Sequence, residues 1–400
     1  MSGLVALLHR DGRPVEPGVV WEMLRAIPYR GPDGMWLRVW DDVALGFAKL
    51  AITPEEIDEE QPLVSPRTGC AVTADVRLDN RPDLLAQLPD RLPPSTSDAE
   101  LILRAYETWG TDLVDHLLGD FAVVIWDPRQ RQLVLARDTS GQRTLFYRAD
   151  AHTFAAASEI QQLLQDPAVP VRPNEQRIRA YLTPFWTYQN EKQGTATFYE
   201  GILALPPGHA MVVQGRAVRV WRYWELETRE IRYRTADEYA EHYLALLSEV
   251  VRTRLRTSSP IGALLSGGLD SSSIVAVAHE LFRSGSAHNG GFTTFTSAFD
   301  GLECDERPLI EDLRDKYGFR AEFVDCGAFG GRLQPEAAGF KESPNMGVGE
   351  ARDAILGAAH QAGVRVLLTG DTADACVGGT RLVLDSLLRQ GQLDAFWHQL

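Results

Sequence analysis

Ile261-Gly262-Ala263-Leu264-Leu265-Ser266-Gly267-Gly268-Leu269-Asp270-Ser271-Ser272-Ser273 begins as an apolar run that reads as a buried strand and passes into two glycines and a cluster of serines. Beyond it Ile274, Val275, Val277, Ala278 and Leu281 recur at helical spacing. Strand, tight turn and helix start together present free backbone N–H groups to an anion. Gly267 and Gly268 let the backbone come close to a ligand, and Ser266, Ser271 and Ser272 add hydroxyl donors. Asp270 would repel a phosphate unless a cation lay between them, so the run predicts Mg²⁺ beside a phosphate-bearing ligand. The Lys-Ser/Thr ending of a Walker A loop is missing.

Around this run the pattern alternates. Glu238 to Leu255 places Tyr239, Tyr243, Leu246, Leu247, Val250, Val251 and Leu255 on one helical face. Strand 261–265 leads to helix 271–283, strand 292–298 to a helix near 305–317, and strand 320–325 to helix 349–362 and a last strand, 364–369. Such alternation predicts a parallel sheet with helices on both faces, whose ligands sit beyond the carboxyl ends of the strands. Leu368-Thr369-Gly370-Asp371-Thr372-Ala373-Asp374-Ala375-Cys376-Val377-Gly378-Gly379 supplies a second loop at that edge. By itself it reads as an acidic surface turn. Paired with the first loop, it offers Asp374 as a partner to Asp270 in holding Mg²⁺ against phosphates.

The first half is different in kind. Leu4–Leu8, Trp36–Trp40, Val43–Ala51, Cys70–Val76, Phe121–Trp126, Gln132–Arg137, Thr144–Arg148 and Thr153–Ala157 are short apolar or alternating runs parted by turn residues. Helical spacing appears at Val19–Ile27 and at Asp98–Trp109, with Asp98 as the expected N-cap. Two packed sheets with a few helices follow from this. Ala210–Val213 and Ala217–Trp221 read as a hairpin around Gln214-Gly215. The boundaries drawn are 1–205, a connecting hairpin and linker over 206–235, and a second domain over 236–400.

Bulk properties narrow the function classes. Hydrophobic content of 44%, charged content of 24% and a net charge of -15 over 400 residues describe a globular chain of two or three domains without the basic excess of a nucleic-acid binder. Four scattered cysteines, none in a CxxC pair, fit neither a disulfide framework nor a zinc site and point to a reducing cytoplasm. The N-terminus lacks the basic region of a signal peptide. No apolar run approaches the roughly eighteen residues of a membrane span.

The Ser266 loop resembles the pyrophosphate loop of ATP pyrophosphatases, and the whole chain resembles the asparagine synthetase B family. The matching pieces are Arg30-Gly31-Pro32-Asp33-Gly34, Asp79-Asn80-Arg81, Ser97-Asp98-Ala99-Glu100, Gly119-Asp120-Phe121-Ala122, Ala136-Arg137-Asp138, Ala157-Ser158-Glu159-Ile160, Pro206-Pro207-Gly208-His209, Tyr223-Trp224 and the two loops. The resemblance implies an α+β N-terminal Ntn-hydrolase-like sandwich, of the type 2 glutamine amidotransferase kind, joined to an α/β parallel-sheet ATP pyrophosphatase domain. It implies ATP and Mg²⁺ as cofactors. Leu265, Ser266, Gly267, Gly268, Leu269, Asp270, Ser271, Ser272, Ser297, Thr369 and Gly370 become the nucleotide contacts, Asp270 and Asp374 the metal ligands, and Asp371 and Asp374 the catalytic acids. Glu303, Asp305 and Glu306 are further candidates near the nucleotide, although a charged helix start with Asp305 as N-cap explains them equally. His209, Trp221 and Trp224 read as packing residues.

Departures from the family carry as much as the matches. Its glutaminases use a cysteine at position 2, where this chain has Ser2. A thiolate is the competent nucleophile, and serine without a general base is a poor substitute. The oxyanion-hole Asn-Gly aligns with Asp75-Val76, and the arginine of the glutamine pocket with Lys49. Losing one oxyanion donor already costs on the order of 10²–10³ in rate, so glutaminase activity is expected to be gone. The family's Asp-Glu pair is Asp374-Ala375 here. Family members also continue past the second loop to a catalytic lysine, and no basic residue after Gly379 matches it, so the second domain reads as shortened.

A synthetase half without glutamine-derived ammonia needs an amine from elsewhere, and an amine within the same substrate is the economical source. Val76-Arg77-Leu78-Asp79-Asn80-Arg81 and Thr369-Gly370-Asp371 resemble the lasso peptide cyclase branch, which joins an Asp or Glu side chain of a precursor peptide to its N-terminal amine. The partners implied are that precursor, a leader-binding protein and a leader peptidase. A β-lactam synthetase-like enzyme, an ammonia-dependent asparagine synthetase and a non-catalytic binding protein are the alternatives.

Overall fold

The computed structural model describes residues 1–183, 195–227, 229, 231–287, 291–326, 350–371, 373, 387–389, 391, 393 and 397. The chain divides into two compact units that part between Ile231 and Arg232.

In the first unit two antiparallel sheets face each other. One contains β1 (Gly3–His9), β2 (Met35–Trp40), β3 (Val43–Ala48), β8 (Phe146–Ala149), β9 (Thr153–Ala157) and β10 (Leu203–Ala204), in the order β10-β8-β9-β1-β3-β2. The other contains β4 (Leu63–Val64), β5 (Ala71–Leu78), β6 (Gly119–Asp127), β7 (Gln132–Arg137), β11 (His209–Gln214) and β12 (Ala217–Arg222), in the order β12-β11-β7-β6-β5-β4. Alternate residues of each strand serve different cores because side chains switch face with period two. Leu4, Leu45, Val124, Leu135, Phe154 and Met211 fill the space between the sheets. Val72, Val123 and Ile125 point the other way, onto Leu101, Ile102 and Ala105 of helix Asp98–Trp109. Val5 and Leu7 meet Met23 and Leu24 of helix Pro17–Arg25. With both faces covered, the strands carry nearly continuous apolar runs, which is why they stood out in the sequence.

Three local expectations change. The hairpin expected to connect the domains is instead part of the first: β11 pairs with β7 along Ala210↔Ala136 to Gln214↔Gln132. Alternating apolar residues in a hairpin do not reveal which sheet they extend. Helix Asp98–Trp109 is capped by Ser97, whose hydroxyl accepts from the Glu100 N–H, while Asp98 lies inside the first turn and is fully buried. Helix Arg307–Tyr317 starts after Glu306, without a side-chain cap, and Asp305 instead accepts from the Arg307 guanidinium at 2.8 Å.

In the second unit β13 (Ile261–Leu264), β14 (Phe292–Ala298), β15 (Arg320–Asp325) and β16 (Val366–Leu368) form a parallel sheet in the order β15-β14-β13-β16. Helices Ala236–Arg254, Leu269–Arg283 and Arg307–Tyr317 contribute Val251, Val275 and Ile310 to the core on one face. Helix Glu350–Gln361 lays Ile355 and Ala359 against Phe295 on the other. The expected single apolar face of the first of these helices is split. Val251 and Leu255 are buried, whereas Tyr239, Tyr243, Leu246 and Val250 are exposed. Among the described residues no helix is long and apolar enough to cross a membrane.

Candidate nucleotide site and a closed amide pocket

The strand order fixes where a ligand sits in the second unit. From β13 the chain moves outward to β14 and β15, then returns to the opposite side of β13 as β16. The crevice between the carboxyl ends of β13 and β16 is therefore the topological switch point. Both predicted loops emerge there. Gly370 packs on the helix start: a Cβ at that position would lie 3.0 Å from the Ser271 backbone nitrogen and 3.2 Å from the Asp270 Cβ. Asp270 and the Thr369-Gly370-Asp371 loop are thus brought together as expected.

The first loop is shaped by its glycines and serines. Gly267 has φ +71 and passes against Leu309, a left-handed conformation that suits glycine. Gly268 is the extended N-cap of helix Leu269–Arg283 and brings no side chain to cap it. The Ser266 N–H donates to the Ser271 hydroxyl at 3.2 Å, folding the loop over the first helical turn. The Thr296 hydroxyl donates to the Leu265 carbonyl at 2.7 Å and fixes the strand end. The Ser272 hydroxyl is buried without a hydrogen-bond partner. A ring of helix-start N–H groups at the positive end of the helix dipole suits a polyphosphate.

These residues border a cavity of about 810 Å³, lined by Leu264, Leu265, Ser266, Gly268, Leu269, Asp270, Ser271, Phe295, Thr296, Ser297, Phe299, Glu306, Ile355, Gly370 and Asp371. That volume falls within the range of small-molecule and cofactor pockets. Ser297 lines it, as expected. Of the three acids named after β14, Glu306 lines it and Asp305 is taken up by Arg307, while Glu303 is not among the lining. Asp371 reaches Arg352 at 3.4 Å near the surface. Asp374, the expected second carboxylate, lies outside the described residues. Among the described residues no three metal-binding side chains gather. Mg²⁺ needs no such cage: one or two carboxylates plus substrate phosphates suffice, and Asp270 and the helix-start donors fit a Mg²⁺–triphosphate. Sequence reasoning missed Phe295, Phe299, Ile355 and Arg352. Their only signal is position, at strand ends or on a helix that covers the sheet.

The first unit holds the residues that depart from the amidotransferase pattern, and they are locked. The Ser2 N–H donates to Asp75 at 3.2 Å. Its hydroxyl accepts from the Leu50 N–H at 3.0 Å and donates to the Leu50 carbonyl at 3.3 Å. Asp75 is flanked by Arg143 at 3.5 Å and Arg30 at 3.9 Å, and Arg30 also donates to the Ser2 carbonyl and pairs with buried Glu159. The carboxylate is therefore neutralised as well as misplaced for an oxyanion hole. Lys49 donates to the Ile57 and Glu59 carbonyls at 2.7 Å each. Gln61 accepts from the Ala74 N–H at 2.6 Å, so a glutamine side chain of the chain itself occupies the space beside Asp75. What remains is a cavity of about 10 Å³, roughly room for one water.

Glu56 borders this closed pocket, and burial pushes its carboxyl up to about 7, against backbone donors at Ile52 and Thr53 that favour the charged form. The folded state thus binds this proton more tightly than the unfolded state. Its stabilising effect is complete below about pH 4.5 and is lost as pH rises through about 7. Glu56→Gln is expected to remove that dependence. Urea midpoints measured from pH 5 to 8 should show wild type losing on the order of 3 kcal/mol relative to the variant.

Outside the two sites, His209 accepts no catalytic role: its Nδ1 lies 2.8 Å from the Pro207 carbonyl on the hairpin. Trp221 packs on the outer core of the first unit, and Trp224 is exposed.

Comparison with known proteins agrees with this division. A glutamine amidotransferase domain model matches residues 1–224, and an asparagine synthase model matches residues 242–398. Amidase chry2 of Gibberella zeae is 29% identical over 95% of this chain. Asparagine synthetase (glutamine-hydrolyzing) 3 of Bacillus subtilis is 32% identical over 64% of it, and Amidase chyE of Penicillium rubens 26% identical over 89%. The matches cover 59%, 41% and 54% of those proteins, so the chain spans about half the length of the curated relatives it matches.

Proposed function

We propose, from the premise that this chain belongs to the asparagine synthetase family, that it is an ATP-dependent, AMP-forming carbon–nitrogen ligase that takes its amine from a source other than glutamine. The observation that carries this is the contrast between a preserved cavity of about 810 Å³ at the Ser266 loop and an amide pocket closed to about 10 Å³. A substrate carboxylate oxygen attacks the α-phosphate of ATP. The bond between the α-phosphate and the bridging oxygen breaks, pyrophosphate leaves, and an acyl-adenylate forms. The helix-start N–H groups of Leu269 to Ser271 and the serine hydroxyls hold the phosphates and offset the charge that develops on them. Asp270, with Asp374 by the family resemblance, would hold Mg²⁺, which would supply further charge neutralisation at the phosphates. An amine then attacks the acyl carbon, loses its proton, and AMP departs.

The finer reading is macrolactam closure of a lasso-type precursor peptide, its Asp or Glu side chain joined to its own N-terminal amine, in a cytoplasm with a leader-binding protein and a leader peptidase. Tethering the amine raises its effective concentration by orders of magnitude, which compensates for the lost ammonia source. The chain incubated with ATP, Mg²⁺ and a precursor peptide is expected to release pyrophosphate and AMP and to yield a product lighter by one water, with or without glutamine. Asparagine formed from aspartate and ammonium, with no change in the peptide, would overturn the macrolactam reading. Glutamine is expected to stay unhydrolysed, and Ser2→Cys to leave it so, because the space for the amide is filled by Gln61. Glutamate release by that variant, followed by a coupled assay, would show the pocket to be open.

A further inference from the structure

We infer that β12 accepts an extended peptide segment of alternating apolar and acidic residues as an added strand, beside an open cavity on the outer face of the same sheet. Among the described residues β12 is the edge of its sheet, paired to β11 alone. A two-residue turn joins the two, with Gly215 at φ +53. In such a hairpin the pair next to the turn exchanges both backbone bonds and the pairs then alternate. Ala217, Arg219 and Trp221 accordingly bond to β11, and Val218 and Val220 turn their N–H and C=O groups outward. Natural edges are usually blunted by charged side chains, a proline, a bulge or a covering segment; β12 has the first of these, Arg219 and Arg222, and no proline. This one is six residues long, and Val218 and Val220 are 37% and 40% exposed.

Charge selects the occupant. The chain carries a net charge of -15, yet Arg216 and Arg219 stand at this edge, and neither makes an ion pair among the described residues. Arg219 lies over the Trp221 ring at 4.6 Å from its centroid. It also borders a cavity of about 560 Å³ with Tyr106, Trp109, Gln132 and Gln214. That cavity is preformed. Gln132 donates to the Tyr106 hydroxyl, which donates to Asp127, and the Gln214 amide donates to the Gln130 carbonyl. An added strand would set apolar residues beside Val218 and Val220 on one face and an acidic residue beside Arg219 on the other. Pairing here is independent of the ATP chemistry, and each can be lost without the other.

The test uses the full chain and a fluorescein-labelled peptide of alternating valine and glutamate. Its lysine counterpart is the control. The glutamate peptide is expected to bind, to weaken with added salt, and to protect the Val218 and Val220 amides from hydrogen exchange. Val220→Pro removes an outward N–H that makes no ladder bond, so it should keep the melting temperature yet weaken binding at least about tenfold. The double variant Arg216→Glu, Arg219→Glu should do the same through charge, and it serves as the readout if the proline variant does not fold. Equal binding of the lysine peptide, unchanged exchange at Val218 and Val220, or full affinity in the charge-reversed variant would overturn the proposal.

Discussion

Gly370→Val is expected to lower ATP-dependent pyrophosphate release by about 10²-fold, the loss that follows when reacting groups are displaced by roughly an ångström. The β carbon alone would sit 3.0 Å from the Ser271 nitrogen and 3.2 Å from the Asp270 Cβ. Both neighbours belong to the first turn of helix Leu269–Arg283, so relief comes only by parting the two loops that line the cavity. Gly268→Ala separates structure from ligand. Its added carbon meets only the Ser266 hydroxyl, at 3.5 Å, and its φ of -69 is ordinary for alanine. The variant should melt with wild type yet bind ATP more weakly, because the methyl group enters space a phosphate would use. Isothermal titration with ATP and Mg²⁺, beside thermal melts, reads both effects. Unchanged affinity in both variants would remove the phosphate role from this loop.

Much of this site is legible in the sequence because its constraints are local. A glycine that must take φ +71, serines that close a loop over a helical turn, and a strand–turn–helix pattern all act within a dozen residues of chain. The alternation of elements likewise gives a parallel sheet, and the switch point then follows from strand order. What stayed hidden depends on distant partners. Phe295 and Ile355 are apolar residues of a strand and a helix whose role comes from the cavity they happen to border. Gln61 has no motif; it matters because Ala74, on β5, accepts and offers the bonds its amide needs. The departures at Ser2, Asp75 and Lys49 gave the expectation that glutaminase activity is gone. That these same residues are latched by Leu50, Arg30, Arg143 and the Ile57 and Glu59 carbonyls shows the pocket remade as packing.

The largest loss of stability is expected from Asp98→Ala. Asp98 is fully buried in the first turn of its helix, where its carboxylate accepts from the Leu78 N–H at 2.8 Å and pairs with the Arg81 guanidinium. Arg81, itself buried, also donates to the Pro94 and Thr96 carbonyls at 2.7 and 2.6 Å. One carboxylate thus ties the end of β5 to the loop that leads into helix Asp98–Trp109. Its removal leaves the buried Arg81 guanidinium with the more distant Glu55, at 3.7 Å, as its counter-charge and takes the carboxylate from the Leu78 N–H, a change that costs about 3 kcal/mol, the lower end for breaking a buried pair. Urea unfolding followed by fluorescence should show a lower midpoint for the first unit, with ATP binding by the second retained in the absence of denaturant. Replacing both partners together, Arg81→Met with Asp98→Leu, is expected to recover part of that loss, since the penalty lies in a buried charge left with a poorer partner rather than in the pair itself. The Asp98 charge also helps hold the Glu56 carboxyl up near 7. Asp98→Ala should therefore shift the pH at which Glu56 titrates downward, and a titration that stays in place would leave burial and the Glu59 charge as the cause.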